Sequence, residues 1–466
     1  MAGGSDARAT WDAETDVLVI GGGGGGLVAA LAAREGGATV ALVEKDPRLG
    51  GNTVLSSGSV PGADTRFQRD AGIADSPDLM VEDLTRRTGG TAPPHLVRLL
   101  AQESAPLVEW LVDALGVPLR LVPDLKKVGH SVPRTHAPPG RDGSVLLRRL
   151  EQAAEERDVT IIRANPARRL LADGSGAVAG AVTAAAGSGG EDRIRARRII
   201  LACNGFAGNR EMLRRFIPDV AEAPYFGHQG NTGEGIAWGV ELGARLRNMQ
   251  AYQGHASVSY PQGALMSWTA MERGGFLVNG QGRRFVDENL GYSGCAAHVL
   301  AQPDARAFAV IDERMRAYLE AHVPEFGSIA AQGGVKRAAS MRELARACDI
   351  DGHALEETLE AFNWAADGRA SDPLGRETFG IAPLEGPYAA VRVTAGLFHT
   401  QGGLDVDANA QPLREDGTAI GGLYAVGGVA VGVSGADGGR GYCSANGLLA
   451  ALGLGRVAGR HAALTL

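Results

Sequence analysis

The stretch TDVLVIGGGGGGLVAALAA, residues 15–33, places six consecutive glycines between an apolar run and an alanine-rich one. A flexible linker has polar flanks, because chain that buries nothing cannot offset its ordering entropy. Here residues 17–20 read as a short buried strand and residues 27–34 as a good helix former. Within the run, Gly21, Gly23 and Gly26 satisfy G-x-G-x-x-G, with Gly22, Gly24 and Gly25 as spacers. The first glycine permits the tight turn, the second lets backbone approach a pyrophosphate, and the third lets helix pack closely on strand. The helix N-terminus then offers unpaired N–H groups and its positive dipole end to the phosphates.

About twenty residues on, ATVALVEKD forms a second apolar strand that ends at Glu44. A carboxylate there accepts hydrogen bonds from both ribose hydroxyls, which favours an unphosphorylated adenosine over a 2′-phosphate. Strand, glycine turn, helix, strand and acid follow in the correct order within one βαβ unit. That order predicts dinucleotide binding over a merely structural glycine turn.

At 466 residues the chain is long enough for two domains, each with its own core. A net charge of −7 gives no electrostatic footprint for nucleic acid or an anionic membrane. The first residues, MAGGSDARATWDAETD, lack the basic and apolar regions of a signal peptide, and no run reaches bilayer-spanning length. A cytoplasmic protein with no membrane insertion is therefore expected. Cys203, Cys295, Cys348 and Cys443 are scattered without CxxC or metal-ligand spacing, so reduced structural thiols and no metal site are expected.

Proline and glycine clusters at 133–143 and 183–190 read as surface loops, the second as a hairpin tip between strand-like segments 177–182 and 193–201. Between 305 and 365 the pattern is mostly helical and charged, with a capping box at Ser340 and Glu343. The composition change after residue 250 suggests a cap-like insertion. Expected boundaries are 1–250 for the first part of a cofactor domain, 251–395 for the cap, and 396–466 for the second part.

Four further segments carry a family resemblance. PRLGGNTVLSSGSVPGA (47–63) resembles the second phosphate-and-flavin loop of the fumarate reductase and succinate dehydrogenase flavoprotein superfamily, whose members bind FAD. RIRARRIILACNGFAGN (193–209) is similar to that superfamily's return to the FAD domain, and GNTGEGIAWGVELGARL (230–246) to its TGDGI-type turn. The segment 421–459, GGLYAVGGVAVGVSGADGGRGYCSANGLLAALGLGRVAG, resembles the part that wraps the isoalloxazine.

The resemblance implies an α/β fold, a Rossmann-like FAD-binding domain with an inserted α+β capping domain that closes over the flavin. It assigns FAD contacts to Gly21, Gly23, Gly26, Glu44 and Lys45, and to Gly51, Asn52, Thr53, Ser57 and Gly58 in the following loop. Further contacts fall to Ala167, Ala202, Cys203, Asn204 and Gly205, and to Gly427, Gly428, Ser444 and Leu448. Asn52 occupies the place of the histidine that carries covalent FAD in some members, so the flavin is expected to be noncovalent. Gly427–Gly428 replaces the usual Gly-Glu, which removes a carboxylate that commonly holds the ribityl chain.

For the substrate, the resemblance matches His255 and His399 to two carboxylate-binding histidines of fumarate reductases, and Arg440 to a carboxylate-clamping arginine. The signature RRFVDE (283–288) is also present, but the catalytic arginine expected four residues after Glu288 is Tyr292. Tyrosine there is similar to the 3-ketosteroid Δ1-dehydrogenase branch, which uses one tyrosine as base and a second, near the C-terminus, to polarise the ketone. Tyr442 falls at roughly that second place, with the assisting glycine near Asn446. The expected reaction is dehydrogenation α,β to a carbonyl in a saturated cyclic ketone or keto acid. Its reverse, an enoate or fumarate-type reduction, is the alternative. No CxxC or CxxCH marks a haem or iron–sulfur partner, which leaves the electron acceptor unassigned.

Overall fold

A computed structural model describes residues 11–123, 127–185 and 189–466. The chain divides into two compact units. Unit 1 runs up to Phe216 and includes Gly227–Tyr252 and His399–Leu466, while unit 2 comprises Ile217–Phe226 and Gln253–Phe398.

Unit 1 is built on a sheet whose first strand is β1 (Ala13–Ile20), followed by helix α1 (Gly24–Glu35) and strand β2 (Val40–Val43). β1 pairs in parallel with β2 and with β3 (Glu191–Leu201), and Thr160–Ile162 extends the sheet beyond β2. Val17, Leu18, Val19 and Leu42 have no exposed surface, as a parallel strand covered on both faces requires. The strands Ala167–Ala172 and Val178–Ala184 form an antiparallel pair that joins β3. Of the loop expected at 183–190, residues 183 and 184 belong to the second of these strands, and 186–188 lie outside the described residues.

The loop expected at 133–143 is corrected in part. Thr135–Ala137 is a buried strand between Val60–Pro61 and Arg120–Leu121, and only its continuation at 139–142 is exposed. Proline and glycine marked the end of that segment, while the buried side chains of Arg134 and His136 are satisfied by hydrogen bonds rather than by apolarity.

Unit 2 carries an antiparallel sheet of β4 (Tyr252–Ser259, entered from unit 1), β5 (Phe276–Val278), β6 (Ala307–Asp312) and β7 (Tyr388–Thr400). The order is β4-β7-β6-β5, and Val335–Ala338 pairs with β7 as well. β6 corrects the mostly helical reading of 305–365, because AFAVID is buried along its whole length. A short apolar run of that kind fits a central strand as well as a helix, and length decides between them. Helices Met341–Cys348 and Gly352–Ala366 follow, and Ser340 and Glu343 form the expected capping box.

The chain completes unit 1 with β8 (Leu423–Ala425), parallel to β3, and the long helix α2 (Asn446–Leu464). The C-terminal ends of β1, β2, β3 and β8 lie in register, with Ile20 opposite both Val43 and Leu201, and Leu201 opposite Ala425. Ligands of open parallel sheets bind at such strand ends.

Five of the six glycines are required by this geometry. Gly21 has φ +113°, and a Cβ there would lie 2.6 Å from the Ala202 carbonyl oxygen. A Cβ on Gly26 would lie 1.9 Å from Gly21 O. The spacers are constrained too, which the motif did not predict. Side chains on Gly22, Gly24 and Gly25 would meet Leu49 at 2.4 Å, Thr53 Oγ1 at 2.9 Å and Ala451 O at 2.9 Å. Gly23 alone has room for a Cβ, which would make ordinary contact with Gly50 O at 3.7 Å and Thr53 Oγ1 at 3.9 Å.

Gly25 also belongs to a stripe of small residues along which α1 meets α2. A Cβ on Gly455 would lie 2.5 Å from Gly25 O, one on Gly459 2.2 Å from Ala29 O, and one on Gly36 2.5 Å from Ala463 Cβ. Contacts advance together along both helices, so α1 and α2 run parallel and their N-termini share one end.

Candidate active site

The segments that leave the aligned strand ends form a cradle in unit 1. Glu44 accepts the Gly22 N–H at 2.7 Å through Oε2 and the Asp46 N–H at 2.9 Å through Oε1. Each oxygen retains a lone pair for a further donor. Thr53, in the short helix Gly51–Leu55, accepts the Gly24 N–H at 3.0 Å. Lys45 donates to Glu234 Oε1 at 2.7 Å and to the Gly230 carbonyl, while Asn52 Oδ1 accepts from His228 N–H at 2.7 Å and Asn231 Nδ2 at 3.0 Å. Lys45 and Asn52 therefore brace the 228–234 loop. Ser57 donates to Ser59, and Gly58 takes φ +62° beside Pro138. Ala167 opens its strand two residues after Asn165, whose N–H donates to Glu44 O at 2.8 Å.

Beyond β3, Ala202 N–H donates to Ile20 O at 2.8 Å and Asn204 adopts φ +64°. Burial pushes the Cys203 thiol up to about 12, with the Glu234 carboxylate adding to the effect, so it stays protonated. A Cβ on Gly428 would lie 2.3 Å from Asn204 Oδ1 and 2.6 Å from Gly205 N. A side chain at that position would require the Asn204–Gly205 segment to shift. Leu448 lies in the first turn of α2, and Ser444 just before it.

These residues fit a dinucleotide. The N-terminus of α1 suits phosphate. Asn446, the first residue of α2, has no exposed surface, and neither its Oδ1 nor its Nδ2 has a partner among the described residues. A buried amide without partners is costly unless a ligand supplies them.

Three groups meet at the same helix end. The Tyr442 ring stands edge-on to His399, with centroids 5.7 Å apart. A Cβ on Gly447 would lie 2.9 Å from His399 Nε2 and 3.8 Å from Tyr442 Oη. Gly447 thus sits beside the phenol where the sequence suggested the neighbourhood of Asn446. Burial pulls the His399 imidazole down to about 4, so it is neutral at ordinary pH. Its Nδ1 lies 3.2 Å from Thr400 O and 3.1 Å from the Gln401 amide nitrogen. Arg440, the expected carboxylate clamp, is paired with a neighbouring acid. Its side chain is 54% exposed and lies 3.6 Å from Asp437, which meets its charge.

Unit 2 assembles a second group by itself. His255 and Tyr292 stack with centroids 4.8 Å apart and an interplanar angle of 18°. Trp268 meets the His255 ring edge-on at 6.2 Å, Phe398 approaches it at 6.1 Å, and Phe226 stacks on Phe398 at 5.5 Å. The Ser257 backbone N–H donates to His255 Nδ1 at 3.2 Å, so the neutral ring carries its proton on Nε2. Tyr292 follows a buried ionic frame. Glu288 is 1% exposed and accepts from Arg284 Nη2 at 2.6 Å, Arg376 Nη1 at 3.1 Å and Leu277 N–H at 2.9 Å. Phe226, Trp268, Phe398 and Gly447 escaped the sequence reading, because no spacing links them and only the fold brings each to its cluster.

Residues 16–443 match the family described as FAD binding domain. The chain belongs to that family. It is 32% identical over 450 residues to a fumarate reductase (cytochrome) of Shewanella frigidimarina, an alignment that covers 96% of this chain and 77% of that protein. It is 34% identical over 441 residues to an NADH:fumarate oxidoreductase of Klebsiella pneumoniae (strain 342), covering 93% of this chain and 46% of that protein. This chain therefore spans about half the length of that relative. Its fold is also similar to a 3-ketosteroid-delta4-(5alpha)-dehydrogenase from Rhodococcus jostii RHA1, with a TM-score of 0.79, 28% identity, and 98% and 99% of the two chains covered. FAD is the cofactor, and the protein is an FAD-dependent oxidoreductase of the fumarate reductase and ketosteroid dehydrogenase type. Among the described residues, no helix is long and apolar enough to cross a membrane, and no cluster could hold a metal ion.

Proposed function

We propose that this protein desaturates a cyclic ketone, or a keto acid built on one, at the bond α,β to its carbonyl. The observation that supports this reading most is Tyr292. It takes the place of an arginine acid, next to the buried Glu288 frame, and stacks on His255. A carbonyl acidifies the adjacent C–H when the developing enolate oxygen is stabilised. Tyr442 is assigned that role, donating its phenol O–H to the ketone oxygen beside Gly447. Tyr292, as phenolate, takes the α-proton as general base. FAD, when bound, would supply the two-electron oxidant for the β-carbon's hydride, so that loss of proton and hydride together would leave the C=C bond. His255, with its proton on Nε2, donates to a second substrate oxygen. A neutral His399 next to Tyr442 orients that phenol or accepts a proton in its turn. Arg440, free to turn from Asp437, is the group a keto acid's carboxylate would recruit.

The reverse reaction, reduction of an enoate such as fumarate, has its own support in the two histidines and in the 32–34% identity to fumarate reductases. One experiment separates the readings. The holoenzyme is mixed anaerobically with 4-androstene-3,17-dione in its ring-saturated form, with smaller saturated cyclic ketones and keto acids, and with succinate. Bleaching of the oxidised flavin by a saturated ketone or keto acid is the expected result. Turnover of fumarate with a reduced dye, and no bleaching by any of these, would overturn it. The FAD is assigned as noncovalent, because Asn52 stands at the attachment position with its amide oxygen held by His228 and Asn231. Denaturation should then release all colour into the supernatant, and a yellow pellet would count against the assignment.

A further inference from the structure

One buried cluster of titratable groups in unit 1 has no part in the chemistry above. Arg134 is 1% exposed and donates to both oxygens of Asp75, through Nη2 at 2.7 Å and Nε at 2.8 Å. Its Nη1 donates to Asp83 Oδ2 at 2.6 Å and also reaches His130 Nδ1 at 3.3 Å. A guanidinium only donates, so His130 Nδ1 holds the lone pair and the ring proton is on Nε2. That Nε2–H donates to the carbonyl of Ser444 at 2.9 Å. Burial also favours the neutral ring. The return bond runs from Ser444 N–H to Val128 O at 3.0 Å. Between the two, Gly129 takes φ +87°, and a Cβ there would lie 2.4 Å from Cys443 Sγ. The turn is therefore matched to this loop on backbone and side-chain levels at once. A buried charge cluster gains little stability over apolar packing. What this one does is fix the tautomer of a histidine that grips the chain two residues after Tyr442 and two before Asn446.

We propose that His130 is a positioning residue for Tyr442: Arg134 sets its tautomer, and its Nε2–H pins the Ser444 carbonyl and with it the loop between the phenol and the N-terminus of α2. The proposal rests on the role given to Tyr442 above. Its test uses FAD holoenzymes and anaerobic flavin bleaching by whichever saturated ketone or keto acid the wild type oxidises. His130→Leu removes both polar atoms and should lower the limiting rate about 10–100-fold while KM changes by less than about threefold, as misplacement of a catalytic group predicts. His130→Gln keeps an N–H at the place of Nε2 and should recover most of that loss. An unchanged rate in His130→Leu, or equal losses in the Leu and Gln variants, would overturn the proposal. Tyr442→Phe makes the two levels separable. A wild-type rate there would remove the role of Tyr442 itself, whereas a slow Tyr442→Phe beside a fast His130→Leu would remove only the positioning role.

Discussion

The two units build their candidate sites from different materials. Unit 1 builds its cofactor cradle largely from backbone: glycines without room for a Cβ, N–H groups at two parallel helix ends, and strand ends in register. Unit 2 uses side chains, with five rings from separate segments packed together next to a buried set of charges. Backbone recognition tolerates almost no substitution, because a Cβ has nowhere to go. Side-chain recognition can be re-cut one residue at a time while the frame stays. A shared cofactor with divergent substrates is what such a division of labour permits.

The largest effect should come from one methyl group on the backbone side. Gly26→Ala puts a Cβ 1.9 Å from Gly21 O, so the turn must open, and a loss above about 3 kcal/mol with no FAD retained is expected. Gly327→Ala in unit 2, in helix Pro324–Ala331 with nothing within 4 Å of the new methyl, should instead stabilise by about 0.5–1 kcal/mol. FAD content and urea midpoints measure both, and similar behaviour of the two variants would break the contrast.

Next comes the side-chain half. Tyr292→Phe keeps the stack on His255 but removes the phenol oxygen, and should slow flavin reduction by about 10²–10⁴. Its FAD content and melting temperature should match the wild type. A loss of FAD in this variant would mean that the chemistry of unit 2 is not separable from cofactor binding.

A third effect depends on acid. Burial pulls His136 from its ordinary value down to about 4, and its Nε2 lies 3.0 Å from Thr65 Oγ1. The folded ring resists a proton that the unfolded chain takes up, so its contribution is complete above about pH 6.5 and is lost as pH falls towards 4. Between pH 7 and 5, His136→Gln should lose about 2 kcal/mol less stability than wild type. Parallel urea curves for both proteins would remove His136 as an acid-sensitive element of unit 1.

The smallest effect is local. Ser340→Ala in unit 2 breaks a capping box on an eight-residue helix and should cost about 1 kcal/mol, read as a melting shift of a few degrees, with flavin reduction unchanged.

The same contrast explains what could be read without coordinates. Gly21, Gly23, Gly26 and Glu44 were legible because phosphate and ribose recognition by backbone needs fixed residue types at fixed spacing. The strand-end segments at Ala202 and Gly427 followed from the order of motifs along the chain. The strand β6 was missed, since AFAVID between charged helices carries no period that separates strand from helix. Arg134 and His136 looked like loop residues because polar side chains that satisfy one another in the interior leave no hydrophobic trace. Phe226 and Trp268 were invisible for a third reason. An aromatic ring packs the same way in any core, and only its neighbours, drawn from distant segments, distinguish a site from filler.

The glycine stripe between α1 and α2 also governs when the protein can take up its cofactor. Gly25 and Gly455 touch although they lie 430 positions apart in the chain. At ribosomal speeds of about 5–20 residues per second, the phosphate turn waits roughly 20–90 s for its partner helix to be synthesised. During that interval Gly25 lacks the Ala451 backbone against which it packs, and the Asn446 amide beside the cradle does not yet exist. Flavin loading is consequently expected only after α2 has been synthesised, and a product stalled before α2 should compete poorly for FAD.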